Sequence, residues 1–261
     1  MPRLDDITPL ILTWNEAPNL GRTLARLSWA REVVIIDSGS TDDTQPIAAQ
    51  HPGARVLERA FDDHTSQWNF GLAAVTTPWV LALDADYVLG EGFENEVAAR
   101  DEAVDAYEAA FRYCVFGRPL RGSLYPPRAL LFRRDRCRYV QDGHTQRLQL
   151  SGALGRLQTL VDHDDRKPLS RWLAAQDKYA MLEVDKLLAA EPATLGLPDR
   201  LRRTGWAALP AVLAVLVHTL LVKGVLFDGW RGCYYALQRL LAEILLALRL
   251  LERRLNREDD A

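Results

Sequence analysis

Val33-Val34-Ile35-Ile36-Asp37-Ser38-Gly39-Ser40-Thr41-Asp42 is the stretch whose reading decides the fold. Four β-branched residues in succession fit a strand buried on both faces, as in a parallel sheet. The run stops at an acid and a Ser/Gly/Thr loop. Thr41, Asp42 or Asp43 is placed to cap a helix that Pro52-Gly53 ends.

The same pattern extends on both sides. Residues 7–13 are apolar and end at Trp14-Asn15-Glu16, after which Leu20, Leu24 and Leu27 recur at helical spacing. Residues 54–57 read as a third strand and 65–74 as a helix. Residues 79–83 read as a fourth strand that runs into Asp84-Ala85-Asp86. Alternating strands and helices predict an α/β fold, with a mostly parallel sheet and helices on both faces. Such sheets bind ligands at the carboxyl ends of their strands. Polar clusters fall there, after Thr13, after Ile36 and after Leu83.

Downstream, 111–150 reads as strands and loops punctuated by Gly117, Pro119, Gly122 and Pro126-Pro127. A helical pattern covers 168–188, residues 192–198 form a linker, and helical segments cover roughly 206–227 and 232–255. The expected organisation is therefore an α/β domain over 1–195 and a C-terminal helical pair over 200–257.

Composition narrows the class. With 48% hydrophobic and 26% charged residues, the 261-residue chain can bury a sizeable core. A net charge of −3 gives no reason to expect a nucleic-acid partner. Cys114, Cys137 and Cys233 are odd in number and far apart, and read as neutral thiols in a reducing cytoplasm. The N-terminus is too acidic and its apolar stretch too short for a secretory signal, which places the chain on the cytoplasmic side. Between Arg112 and Arg147 stand nine arginines and only two acids.

Asp84 and Asp86, one residue apart at a strand end, suit a hard divalent cation held against a pyrophosphate. A metal there would offset charge developing on a leaving nucleotide diphosphate. Asp37, at the end of its strand, is placed to accept hydrogen bonds from a ribose or base, or else to organise a capping loop.

Together, Leu12-Thr13-Trp14-Asn15-Glu16, the Asp37-Ser38-Gly39-Ser40-Thr41-Asp42 stretch and Leu83-Asp84-Ala85-Asp86 resemble family 2 glycosyltransferases. The resemblance is greatest to the lipopolysaccharide core glucosyltransferase-like branch and covers about the first 190 residues. It implies a GT-A fold and an inverting displacement. It also implies a nucleotide-sugar donor, foremost a UDP-sugar, and Mg²⁺ or Mn²⁺. Under it, Asn15, Glu16 and Asp37 hold the donor's base and ribose, with Thr13, Ser38 and Gly39 in the same binding motifs. Asp84 contacts ribose and metal, and Asp86 the metal. Gln67 and Asn69 match a Gln-x-Asn pattern and either line the donor pocket or are helix-surface amides. The base that deprotonates the acceptor is Asp142, with His144 as rival. His163 is either a third metal ligand or a solvated loop histidine. Arg128 stands near the place of an arginine that the family carries just before Leu131-Phe132.

Residues 207–222 are apolar but shorter than a membrane span requires, and 237–251 form an amphipathic pattern. The expectation is a helical pair in the interface of the cytoplasmic membrane, near a glycan or glycolipid acceptor. The alternatives are a homodimerisation hairpin and a helical cap packed on the catalytic domain. Competing functions are transfer to polyprenyl phosphate, which is already ionised and needs no strong base, and a non-catalytic sugar-nucleotide-binding scaffold. A nucleotidyltransferase is disfavoured, because no glycine-rich phosphate loop with a lysine occurs.

Overall fold

The computed structural model describes residues 4–142, 145–203 and 208–259. The first half follows the predicted alternation: β1 (Ile7–Thr13), α1 (Leu20–Leu24), β2 (Val33–Asp37), α2 (Thr44–Ala49), β3 (Ala54–Glu58), α3 (His64–Ala74) and β4 (Trp79–Asp84). Then come β5 (Tyr87–Leu89), α4 (Phe93–Ala98), β6 (Ala106–Ala109), β7 (Phe111–Val115), β8 (Arg118–Pro119) and β9 (Arg128–Arg133). Shorter elements follow: β10 (Cys137–Asp142), β11 (Thr145–Leu150), β12 (Leu154–Arg156) and β13 (Val161–His163).

Seven strands form one sheet in the order β12-β6-β9-β4-β1-β2-β3. β1 to β4 are mutually parallel, as are β12 and β6. β9 runs against both of its neighbours. This is the α/β, GT-A-type arrangement implied by the sequence. β2 shows why its residues are all β-branched or acidic. Val33 and Ile35 pack on one face with Leu20, Leu24 and Leu27, while Val34 and Ile36 pack on the other with Trp68 and Leu72 of α3. A second sheet, β5-β13-β7-β8, adjoins the carboxyl side of β4 through the Asp84–Tyr87 connection.

The chain divides into two compact units. The first comprises 1–119, 125–141 and 145–167, and the second 120–124, 142–144 and 168–261. The second unit is chiefly helical: α5 (Leu169–Ala189), α6 (Leu197–Arg203), α7 (Ala208–Val217) and α8 (Trp230–Asp259). Compared with the expected boundary near 195, the division falls at Lys167/Pro168. Val184 and Leu187 of α5 are covered by Leu250 of α8. Arg249–Asp177 at 2.8 Å joins the same two helices, and Arg202–Glu243 at 2.7 Å joins α6 to α8. Among the described residues, no helix is long and apolar enough to cross a membrane.

Gly232, in the first turn of α8, has a structural requirement. A Cβ there would lie 1.7 Å from the Val225 carbonyl oxygen. Alanine ordinarily stabilises a helix relative to glycine, but here backbone must move. Gly232→Ala is expected to lower stability by about 1–3 kcal/mol, or roughly 2–10 °C in thermal midpoint. A midpoint at or above that of the unaltered chain in calorimetry would contradict this.

Candidate active site

Strand register assembles the site. Thr13 pairs with Asp37 and Leu12 with Asp84, so all three strand ends share the carboxyl edge of the sheet. β9 runs the other way, with Leu131 opposite Leu81. That pairing ends at Leu81, where β9 bulges. Beyond the bulge, burial pushes the Arg128 pKa down, but nearby groups, the Asp84 carboxylate among them, raise it. Arg128 Nε is buried without a hydrogen-bond partner, and its guanidinium lies 5.1 Å from the Tyr125 ring.

Asp37 is wholly buried. Its Oδ1 accepts from Thr13 Oγ1 (2.8 Å) and Ser40 Oγ (2.6 Å). Its Oδ2 accepts from Gly39 N (3.2 Å), Ser40 N (2.8 Å) and Gln45 Nε2 (3.0 Å). Burial pushes its pKa up, but the bonds from Gln45, Ser40 and Thr13 outweigh it and hold the carboxyl below the ordinary range. Both oxygens are thus engaged by the loop itself. Asn15, at φ 54°, closes the other side: its Oδ1 accepts from Thr41 N (2.6 Å) and its N–H donates to Ser40 Oγ (2.7 Å). Glu16 N–H donates to Thr44 Oγ1 at 2.7 Å.

The Asp84-Ala85-Asp86 turn is held through its backbone. Thr23 Oγ1 donates to Ala85 O (2.7 Å), and Asp164 N–H to Asp86 O (3.0 Å). β5 and β13 pair antiparallel with Tyr87 opposite His163, which brings His163 to Asp86. His163 Nε2 lies 3.2 Å from Asp86 Oδ2. Asp86 Oδ1 and His163 Nδ1 are buried with no hydrogen-bond partner. Burial raises the Asp86 pKa, but His163 and Lys167 overcome this and keep it low. His163 is therefore no solvated loop residue; Tyr87, Tyr113 and Tyr125 pack around its ring at 5.5, 4.9 and 4.5 Å. Tyr87 and Tyr125 share a hydrogen bond, and burial pushes both hydroxyls well above their ordinary range.

A wall of this site was not singled out in the sequence. Asn19, wholly buried, donates from Nδ2 to Glu16 Oε2 (2.8 Å) and Asp165 Oδ1 (2.9 Å). Its Oδ1 accepts from Arg22 (2.8 Å) and Arg166 N (2.8 Å). Lys167 Nζ reaches Glu16 Oε1 at 2.6 Å, and Arg22 reaches Asp164 at 2.5 Å. Burial raises the Glu16 pKa despite Lys167. Within the charged string 162–167 Asp164 alone is buried, paired with Arg22 and Arg166. Asparagine one residue before a helix was the available signal.

Other expected residues land elsewhere. Gln67 is wholly buried, donating to Ser38 Oγ (2.8 Å) and Arg59 O (2.9 Å), so it braces the Asp37 loop from behind. Asn69 makes a two-way bond with the Tyr139 backbone, both at 3.0 Å. Neither is a helix-surface amide. Asp142 belongs to the second unit, where Lys186 Nζ lies 2.8 Å from its Oδ1. His144 lies outside the described residues. The arginines do not form one patch. Arg133 stacks on Trp79 at 4.8 Å and bonds Glu102 at 2.7 Å, away from Asp84, and Arg112 pairs with Asp162 at 2.6 Å. Burial pushes the Cys114 and Cys137 thiols up to about 12, consistent with neutral thiols.

Among the described residues, no three His, Cys, Asp or Glu side chains form a ready-made metal cage. Asp86 and His163 make an ion pair at 3.2 Å: burial lowers the His163 pKa, but the Asp86 carboxylate outweighs it and favours the protonated imidazole. The unpaired Asp86 oxygen is a hard donor in a buried place.

The family model described as "Glycosyl transferase family 2" matches residues 10–146, just over half of the chain. An uncharacterized glycosyltransferase of Rickettsia felis is 33% identical over 95 residues, 36% of this chain and 33% of that protein. One of Mycobacterium tuberculosis is 33% identical over 102 residues, 39% of this chain and 46% of that protein. The matches thus span between a third and a half of these relatives. Among solved structures, S. aureus TarS 1–349 superposes with a TM-score of 0.49 at 14% identity, covering 96% of this chain and 91% of that one. Glucosyl-3-phosphoglycerate synthase from Mycobacterium tuberculosis, in complex with Mn²⁺ and UDP, superposes with a TM-score of 0.44 at 15% identity, covering 69% and 79%.

Proposed function

Because the chain belongs to glycosyl transferase family 2, we propose that it moves a hexose from a nucleotide-sugar donor, foremost a UDP-sugar, to a cell-surface glycan or glycolipid, with inversion. The observation that carries this reading is the Asp86 carboxylate. It is buried and anionic at the carboxyl edge of the sheet, with one oxygen lacking any donor. A buried carboxylate oxygen without a partner is costly unless a cation completes it.

Asp86 would hold a divalent cation through its unpaired Oδ1, with Asp84 and the donor's phosphates beside it, and His163 would join it on releasing its proton. Bound there, the ion would neutralise charge on the leaving diphosphate. The chain's own residues do the rest. The loop braced by Asp37, Gln67 and Asn15 receives the nucleoside, its backbone fixed before the donor arrives. Arg128, beside Asp84, supplies a buried guanidinium for a phosphate. Tyr87 and Tyr125, neutral throughout, keep water from the back of the site. As the acceptor oxygen bonds the anomeric carbon, its proton passes to a general base, the role for which Asp142 is our candidate. The bond from that carbon to the phosphate oxygen breaks, and its electrons leave with the diphosphate.

A second reading, transfer to polyprenyl phosphate, is favoured by the Lys186 ammonium on Asp142 Oδ1. The test is turnover of a panel of nucleotide sugars with membrane-derived acceptors. Asp142→Ala is expected to lower transfer at least about 100-fold and leave donor binding unchanged. Transfer that survives Asp142→Ala would move the acceptor to an ionised phosphate. Binding of no donor would overturn the transferase reading.

A further inference from the structure

We propose that the turn joining α7 to α8 is a docking tip for an anionic lipid bilayer. The chain leaves α7 as a π turn (His218–Val222) and a 3-10 turn (Val225–Asp228) before α8 begins at Trp230. Over this short stretch Leu221, Val222, Phe227 and Trp230 are 61%, 70%, 71% and 89% exposed. Leu213 and Val217 of α7 are exposed as well. Large apolar side chains scattered singly over a surface need no explanation, but a contiguous group with two aromatics does.

The tip is built, not frayed. Val225 is wholly buried beneath it, and Tyr235 nearly so. Gly224 and Gly229 take φ of 70° and 61°, conformations open to glycine, and so set the two corners. Asp228 Oδ2 accepts from Arg121 N–H at 3.0 Å, and Tyr235 Oη accepts from Leu124 N–H at 2.8 Å. Thus Val225 and Tyr235 face inward while Phe227 and Trp230 are held outward.

Charge identifies the occupant. Lys223, Arg231 and Arg121 stand at the turn against one acid, Asp228, which Arg121 engages at 3.6 Å. Arg121 also lies over the Phe227 ring at 5.7 Å. A cationic, aromatic tip on a chain of net charge −3 matches the headgroup level of an acidic bilayer. Aromatic rings sit well there, and each basic residue gains about 1 kcal/mol. A second copy on a two-fold axis would set these cations against their own kind. No described helix spans a membrane, so the contact is with the interface only. It does not depend on the donor chemistry proposed above.

The test is flotation of the full chain with phosphatidylglycerol vesicles and, separately, phosphatidylcholine vesicles. Binding is expected on the first and at least about tenfold weaker on the second. Phe227→Ser with Trp230→Ser, and separately Lys223→Glu with Arg231→Glu, should each lose at least about tenfold on phosphatidylglycerol, with UDP binding retained. Trp230→Phe keeps a ring in place, and should largely lose the fluorescence quenching that brominated acyl chains cause in the unaltered chain. No flotation on phosphatidylglycerol, undiminished flotation of the variants, or a dimer that the serine variant dissolves would overturn the proposal.

Discussion

Asp86→Ala is expected to lower sugar transfer at least about 1,000-fold, on the order of 4 kcal/mol in the barrier, and to lower the thermal midpoint as well. The first effect comes from Oδ1, the buried and unpartnered oxygen offered to a cation. The second comes from His163, 3.2 Å from Oδ2, and from Lys167, whose charges hold the carboxyl low against burial and lose their counter-charge in the variant. If the carboxylate instead served only to position His163, the variant would lose stability and keep its activity. Steady-state kinetics beside calorimetry on the same preparation separates the cases. Transfer within tenfold of the unaltered chain would remove Asp86 from the chemistry.

Asp37→Ala should lose about 3–5 kcal/mol in stability and roughly 6–15 °C in midpoint. Five donors converge on this carboxylate, from Thr13, Gly39, Ser40 twice and Gln45. Alanine leaves them without an acceptor in a place where Asp37 is wholly buried. The pH dependence has a definite sign. The folded carboxyl lies below its unfolded value of about 3.9, so its contribution is complete above that value. It is lost as the pH falls through the folded value, where the native state must take up a proton. Urea unfolding between about pH 4 and pH 2 should show a steeper decline than in Asp37→Asn, where only the other depressed carboxyls, such as Asp86, take up protons. Parallel curves for the two proteins would mean that Asp37 does not anchor the loop as its ionised form.

The strands were legible because parallel strands buried on both faces have to be apolar at successive positions. The runs at 7–13 and 33–36 therefore coincide with β1 and with all of β2 but its terminal Asp37. The polar residues that interrupt them, Thr13, Asp37 and Asp84, fall on the carboxyl edge because sheet register leaves them nowhere else. β5 and β13 were not legible. Each has three residues, too few for periodicity, and they lie more than 70 residues apart in the chain. Their pairing is what sets His163 against Asp86. Asn19 and the 162–167 segment were missed for a related reason. Asp164 is buried there only through partners that the sequence does not reveal, such as Arg22 from the other end of the domain. The amides of Gln67 and Asn69 are engaged within the fold, Gln67 by Ser38 Oγ and the Arg59 carbonyl and Asn69 by the Tyr139 backbone, partners that the sequence does not reveal.

Calorimetric titration of UDP into the full chain, with Mn²⁺ and then with a chelator, in the unaltered protein and in Asp86→Ala, tests the central claim most directly. The account predicts binding at least about tenfold tighter with Mn²⁺, about 1.4 kcal/mol, and no such difference in Asp86→Ala. Equal affinity with and without the ion, or a metal effect that survives the substitution, would contradict it.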